Sequence, residues 1–233
     1  MQQNKLRVSA MAVNYAVKLE SVSKSYGDAS PQRIFESVNI SFHDGEFAAL
    51  KGPIGSGKTT LLNIIAGFLK PNFGRVVVKG IDIVRMPEKE LAIFRAKTFG
   101  IVPQTQNLVL ELSIAQNIEL PMIFQNIPKV ERAKRVQEIL QRVGIPKMAD
   151  RIVGTLSVGE REVIAIARST ALDPPILLLD EPTEALDPAM TDMVVAFIKS
   201  DHVLKKKTVI IATHDERVTK IAHTIIQVKK RMP

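Results

Sequence analysis

Short stretches of alternating apolar and polar residues occur three times in the N-terminal third of the chain. They are Val17–Val22, Val38–Phe42 and Arg75–Lys79. Alternation with a period of two is typical of strands that bury one face and expose the other. Antiparallel sheets commonly have this half-buried pattern. The sequence therefore predicts a small antiparallel β layer near the N-terminus.

Continuous apolar runs are typical of strands that are buried on both faces of a parallel sheet. The clearest runs are Phe47–Leu50, Ile176–Leu179 and Val209–Ala212, and weaker candidates are Phe99–Val102 and Thr224–Val228. Helical segments separate these runs along the chain. We therefore predict an α/β fold with a mainly parallel sheet and crossover helices.

Helical periodicity is clearest in three segments, Thr59–Leu69, Val130–Val143 and Arg161–Ala171. The first is expected to bury Leu61, Ile64, Ile65, Phe68 and Leu69. The second is expected to bury Val130, Ala133, Val136, Leu140 and Val143 and to stop at Gly144. The region from about 104 to 160 is mostly helical and lies between two core strands. We expect it to be a helical subdomain inserted in one domain that covers 1–233.

Composition excludes several classes of protein. The chain has 233 residues, a net charge of +8 and no cysteine, so disulfide scaffolds, thiolate metal sites and cysteine nucleophiles are excluded. The longest stretch without a charged residue is only 13 residues long, at 98–110, whereas a membrane helix needs about 20. The fairly apolar segment 8–17 is interrupted by Ser9 and Asn14, so we do not expect it to be a signal peptide. We therefore expect the protein to be cytoplasmic.

A glycine-rich segment after the first buried strand matches the phosphate-binding loop pattern G-x-x-x-x-G-K-[ST]. Its backbone N–H groups and the following helix N-terminus should surround a phosphate chain. Lys58 should reach the β- and γ-phosphates, and the Thr59 hydroxyl should bind Mg²⁺. The predicted nucleotide-binding residues are Gly52, Pro53, Ile54, Gly55, Ser56, Gly57, Lys58, Thr59 and Thr60.

Two adjacent carboxylates end the strand Ile176–Leu179, and strand alternation sends their side chains in different directions. Asp180 can hold Mg²⁺, directly or through water, and Glu181 can then polarise an attacking water. His214 follows the strand Val209–Ala212, where it could hydrogen-bond the γ-phosphate and orient that water. Gln104 follows Phe99–Val102, where its amide could contact both Mg²⁺ and the water.

Leu156–Glu160 reads Leu-Ser-Val-Gly-Glu and precedes a helical run. Ser157 and Glu160 are spaced as a capping box, which alone would indicate only a well-capped helix. The same helix N-terminus could offer the Ser157 hydroxyl and the Gly159 N–H to an anion. Because the phosphate loop already serves one nucleotide, this second site makes most sense if it serves another subunit's nucleotide.

These motifs in this order resemble those of the ATP-binding cassette (ABC) ATPases over nearly the whole chain. The resemblance implies two copies that clamp two ATP molecules, with Ser157 and Gly159 of one copy facing the phosphate loop of the other. It also implies that Tyr26 stacks on adenine and that Asp187 lies across the dimer seam. The segments around Phe99–Gln104 and Gln116–Pro121 are most similar to lipoprotein-release, macrolide-export and cell-division ATPases. Such ATPases couple to a separate membrane subunit beside the Gln104 loop.

The sequence departs from the family pattern in three places. Val158 occupies the place of the first signature glycine, Arg161-Glu162-Val163 replaces a segment richer in Gln and Arg, and Glu184 replaces a small residue. A β-branched residue close to a phosphate strains the backbone or holds the partner away. These departures affect the expected strength of the contact between subunits, and pairing with a different ATPase subunit would tolerate them.

The sequence therefore predicts an Mg²⁺-dependent ATPase that dimerises around ATP, as a homodimer or heterodimer, and drives a transmembrane permease on the inner face of the cell membrane. One alternative is a force-transmitting ATPase of the cell-division type. Another is a soluble ABC ATPase that acts on nucleic acid or ribosomes, for which no interleaving of basic and aromatic residues is found. A P-loop kinase would leave Leu156–Glu160 and His214 without a role.

Overall fold

The computed structural model describes residues 14–27 and 32–229. Most of segment 8–17 and the basic residues 230–231 lie outside this part of the chain. The strands are β1 (Tyr15–Tyr26), β2 (Gln32–His43), β3 (Phe47–Lys51), β4 (Phe73–Val78), β5 (Ile81–Asp82), β6 (Phe99–Val102), β7 (Ile176–Asp180), β8 (Thr208–Ala212) and β9 (Thr224–Gln227). The helices are α1 (Lys58–Ile65), α2 (Glu88–Thr98), α3 (Ile114–Phe124), α4 (Lys129–Val143), α5 (Val158–Ser169), α6 (Pro188–Lys205) and α7 (Glu216–Thr219), with a 3-10 turn at Val153–Thr155.

Two sheets form the framework. The first is antiparallel, with strand order β2-β1-β4-β5, and Val17 of β1 pairs with both Phe42 and Val78. The second is parallel, with strand order β6-β7-β8-β3-β9. Both the antiparallel N-terminal layer and the parallel α/β sheet were predicted, and both predictions are confirmed.

The central strands of the parallel sheet are buried on both faces, as their apolar sequences predict. Every residue of β7 and β8 is buried, and so are the first four residues of β3. One apolar core lies between this sheet and helices α3–α6, and the other lies between it and the antiparallel sheet with α1. Because all these strands run in the same direction, their carboxyl ends lie along one edge of the sheet.

Two helix predictions were partly wrong. The helix expected over Thr59–Leu69 ends at Ile65, since Gly67 adopts a left-handed φ of 71° that terminates it. Phe68 consequently lies past the helix and is exposed. In α4 the buried residues are Val136, Ile139, Leu140 and Val143. Val130 and Ala133 are exposed instead, because the start of α4 is left outside the buried stripe.

The helices between 104 and 160 pack on one another. Helix α3 contacts both α4 and α5, and α4 also contacts α6. One ion pair joins α4 to α6, because Arg142 of α4 lies 2.6 Å from the buried Asp201 of α6. Asp201 also lies 2.8 Å from Lys207, which follows the end of α6. In the part of the chain that the structure describes, no helix is long and apolar enough to cross a membrane.

Candidate functional site

The loop after β3 wraps tightly before it enters α1. A Cβ atom on Gly52 would lie 2.2 Å from the Val228 carbonyl oxygen, and one on Gly57 would lie 2.7 Å from Ile34. Gly57 also has a φ of 99°, which favours glycine. The first turn of α1 has no side-chain cap, so its backbone N–H groups remain available to an anion. This loop therefore has the shape expected of a phosphate-binding loop.

Lys58, Glu181 and His214 form a cluster beside this loop. Lys58 Nζ lies 3.3 Å from Glu181 Oε1 and donates to the carbonyl oxygen of Gly52 at 2.8 Å. His214 Nδ1 lies 3.0 Å from Glu181 Oε2 and, because a carboxylate only accepts, must carry the proton in that hydrogen bond. Glu181 has a left-handed φ of 50°, which holds its side chain at the turn after β7. The structure thus brings together residues from three strand ends.

Asp180 and Thr59 lie close to each other and line the same cavity. Asp180 Oδ1 is buried and has no hydrogen-bond partner among the described residues. Burial raises the pKa of Asp180, and the nearby Glu181 charge raises it further, whereas Thr59 and Lys58 act against this. Asp180, Thr59 and Gln104 all line a cavity of about 250 Å³.

These residues fit a magnesium ion. A buried carboxylate oxygen without a partner is costly unless a cation or a donor satisfies it. Carboxylate, hydroxyl and amide oxygens are hard ligands of the kind that Mg²⁺ prefers, together with water and phosphate oxygens. The described residues contain no cluster of three or more His, Cys, Asp or Glu that could hold a metal by themselves. The Mg²⁺ site would therefore be completed by the nucleotide.

Ser157 and Gly159 lie at the N-terminus of α5. Ser157 is the N-cap, its Oγ accepts from Glu160 N at 3.2 Å, and Glu160 Oε2 accepts from Ser157 N at 2.8 Å. The capping box is therefore present. Gly159 is packed closely, because a Cβ there would lie 3.3 Å from the Ala185 carbonyl oxygen. Among the described residues, no hydrogen bond or ion pair links Ser157 or Gly159 to the phosphate loop.

Tyr26 ends β1 and is half-exposed, with Lys24 Nζ 5.2 Å from its ring centre. Ile54 at the tip of the phosphate loop is 93% exposed. The remaining loop residues, Pro53, Gly55, Ser56 and Thr60, follow β3 as predicted, and the buried Ser56 Oγ has no hydrogen-bond partner among the described residues.

Sequence reasoning missed one residue of this region, Gln106. Its Nε2 donates to the Val158 carbonyl oxygen at 3.1 Å and to Glu162 Oε2 at 2.9 Å. Glu162 is buried, and burial raises its pKa to about 7, although the Gln106 hydrogen bond acts against the increase. The only sequence signal was that Gln106 follows Gln104 by two residues.

Comparison with known proteins identifies a family to which the chain is similar. The family model described as "ABC transporter" matches residues 35–184. The ABC transporter ATP-binding protein YtrE of Bacillus subtilis is 38% identical, over 83% of this chain and 84% of its own length. The macrolide export ATP-binding/permease protein MacB of Hyphomonas neptunium is 30% identical over 91% of this chain, which covers 33% of that longer protein.

A solved structure shows the same architecture. The dimeric ATP-binding cassette MJ0796, in a post-hydrolysis state bound to ADP and Pi, is 34% identical and superposes with a TM-score of 0.86 over 93% of this chain and 97% of its own. The predicted family and its α/β fold are thereby confirmed. The relatives named here are transporter proteins or cassettes, which gives the cell-division, nucleic-acid and kinase alternatives no added support. The chain belongs to the ABC transporter family, as an ATP-binding subunit of the type that hydrolyses ATP.

Proposed function

We propose that the chain binds Mg-ATP on the loop Gly52–Thr59 and hydrolyses it with Glu181 as the base. The observation that carries this is the buried Asp180 Oδ1, which has no hydrogen-bond partner among the described residues, next in sequence to a Glu181 carboxylate that His214 and Lys58 orient. Lys58 and the loop amides bind the phosphates, and Glu181 takes a proton from the attacking water. His214 positions Glu181 and supports the γ-phosphate end.

Thr59, Asp180 and Gln104 would hold the magnesium ion. When bound, Mg²⁺ neutralises charge on the phosphate oxygens. Asp180 needs no large movement for this role, since it lines the same cavity as Thr59 and its buried Oδ1 has no hydrogen-bond partner among the described residues. Gln104 lines the same cavity from the loop after β6, so it can report the state of this site to the neighbouring helices.

A second copy of the chain completes each site in this proposal. Among the described residues no hydrogen bond or ion pair joins Ser157 or Gly159 to the phosphate loop of the same copy, yet both lie at a helix N-terminus that can bind an anion. The dimeric cassette MJ0796 supports such an assembly. Tyr26 stacks on adenine, and Asp187, the N-cap of α6, lies near the seam between the copies.

The binding proposal is tested by Lys58→Met, which keeps most of the side-chain volume and removes the charge. We expect the affinity for Mg-ATP to fall about 10- to 100-fold, because charge-assisted hydrogen bonds contribute about 1.5–3 kcal/mol. Titration of a fluorescent ATP analogue would measure this. Lys70→Met, at an exposed lysine beyond α1, serves as the control. Equal affinities of the two variants would contradict the assignment.

An apolar groove offers a docking surface for the membrane subunit. It has a volume of about 570 Å³ and is lined mainly by apolar side chains from α3, β6 and the end of α5, including Phe99, Leu120, Phe124 and Leu172. Phe124 is 78% exposed. We propose that a segment of a transmembrane permease binds here, which would hold the chain on the inner face of the membrane. The relative MacB, an ATP-binding/permease protein by name, supports a partner of this type.

Phe124→Glu tests the groove. Placing a charge among apolar side chains should reduce retention of the chain by its co-expressed, detergent-solubilised permease at least about tenfold, because burying an unpaired charge is costly. ATP turnover of the isolated chain should stay within about twofold. Val130→Glu is the matched control, since Val130 is 82% exposed but lies outside the groove. Undiminished retention of Phe124→Glu would overturn the docking site.

A further inference from the structure

The loop after β6 connects the proposed Mg²⁺ site with helix α5. At one end Gln104 lines the cavity that also contains Thr59 and Asp180. Two residues later, Gln106 uses its amide nitrogen to reach the first turn of α5. The loop then continues to Val109, whose backbone N–H and carbonyl are both held by the fully buried Asn117 of α3.

Gln106 makes two hydrogen bonds with one nitrogen. Nε2 lies 3.1 Å from the Val158 carbonyl oxygen and 2.9 Å from Glu162 Oε2. Residues four apart in a helix share a face, so the amide spans the first turn of α5 along that face. Both partners present acceptor oxygens, and this fixes the orientation of the amide with its donors towards the helix.

The buried Glu162 carboxylate depends on the hydrogen bond that Gln106 donates to it. It is 6% exposed, and Gln106 is the only polar partner that the described residues give its Oε2. A buried acceptor that loses its donor incurs a desolvation cost, so the pair favours one position of the loop. Glu162 belongs to the segment in which this chain departs from the family pattern, and Val158 is another of those departures.

Arg168 holds the backbone of the same loop. Its Nη2 donates to the Gln106 carbonyl oxygen and its Nη1 to the Asn107 carbonyl oxygen, both at 2.9 Å. Asn107 has a left-handed φ of 48°, which turns the chain so that these consecutive carbonyls face the guanidinium group. Arg168 therefore anchors the loop near the end of α5, while Gln106 anchors it at the beginning.

We propose that Gln106 is a positioning residue for ATP hydrolysis. It makes the loop that carries Gln104 and the first turn of α5 move as one unit. A movement of Gln104 at the proposed Mg²⁺ site of one copy is then transmitted to the Ser157–Gly159 segment, which faces the nucleotide of the other copy. This role rests on the proposed function, because it assigns Gln104 and Ser157 to the two ends of that unit.

The test compares steady-state ATP hydrolysis by full-length variants. Gln106→Met keeps the side-chain length and removes the donors, so kcat should fall about tenfold while KM for ATP changes less than about twofold. Gln106→Asn keeps the donors on a shorter chain and should show the same loss. Gln137→Met, the same change at an exposed residue of α4, should leave both constants unchanged.

The partner residue gives a second arm. Glu162→Gln retains an acceptor oxygen for Gln106 and should keep nearly the wild-type kcat, whereas Glu162→Leu should lose about as much as Gln106→Met. The double variant Gln106→Met/Glu162→Leu should lose no more than either single variant, since both changes break one contact. Fully additive losses would show that the two residues do not act as a pair, and would overturn the proposal.

Hydrogen exchange separates this proposal from the proposed function. Gln106→Met should increase amide exchange both in residues 104–109 and in the first turn of α5. If the wild type hydrolyses ATP but Gln106→Met equals it in kcat, or leaves exchange in α5 unchanged, the positioning role is wrong and the proposed function stands. A wild type that neither binds nor hydrolyses ATP would overturn both.

Discussion

Replacing Glu181 with glutamine is expected to reduce ATP turnover about 100-fold or more, since a positioned general base contributes about 10²–10⁴-fold. The glutamine side chain has the same shape and can still accept one hydrogen bond from His214, so the local structure should persist. It cannot take a proton from water. ATP affinity should therefore stay within about threefold, because in the proposed site Lys58 and the loop amides bind the phosphates.

The same variant should reveal the assembly. Without hydrolysis, Mg-ATP is expected to stay bound between two copies, and light scattering should then give twice the mass of the monomer. Glu216→Gln, the same change at an exposed carboxylate two residues after His214, should turn over ATP like the wild type and give no lasting dimer. A Glu181→Gln variant that remains monomeric in saturating Mg-ATP would contradict the proposed pairing of Ser157 and Gly159 with a second copy's nucleotide.

Asp180→Asn should abolish most of the magnesium-dependent activity. The substitution keeps the side-chain volume but turns a carboxylate into an amide whose NH₂ group repels a cation. A catalytic metal ion supplies several kcal/mol of transition-state stabilisation, so if Asp180 holds Mg²⁺ as proposed, turnover should fall to about 1% of the wild-type value. The Mg²⁺ concentration for half-maximal activity should rise about tenfold or more.

Metal titration distinguishes this effect from a general disturbance. Removing Mg²⁺ with a chelator should reduce the wild type to the level of Asp180→Asn, and adding it back should restore only the wild type. Asp150→Asn, at an exposed position away from the cavity, should keep the normal Mg²⁺ dependence. Asp180→Asn with an unchanged magnesium dependence would show that this carboxylate does not hold the ion.

The local sequence pattern was sufficient to predict the buried strands and the phosphate loop. The run Ile176–Leu179 predicts a buried strand because four apolar residues in succession leave no polar face, and the loop is defined by adjacent residues. Parallel strands then bring Asp180, Glu181 and His214 to the same edge of the sheet as Lys58. The order of the strands and helices along the chain was therefore enough to predict that these residues lie close together.

Other features depend on contacts that no local pattern reports. The predicted end of α1 was wrong although Gly67 signals a helix end, because the spacing of apolar residues typical of a helix continues to Leu69. Val130 has an apolar side chain at a helical position, yet the first turn of α4 is exposed. Gln106 pairs with a residue 56 positions away. This contact depends on how the loop and α5 pack, which follows from the tertiary fold alone.

The strand order has a consequence for synthesis on the ribosome. Strand β3 is made early, but both of its neighbours, β8 and β9, follow about 160 residues or more later. At translation rates of about 5–20 residues per second, the apolar β3 waits roughly 8 to 30 s without a strand on either side. An unpaired apolar strand is prone to aggregate. The nucleotide-binding loop therefore takes shape only after most of the chain has been translated, and until then the nascent protein is a natural client for chaperones.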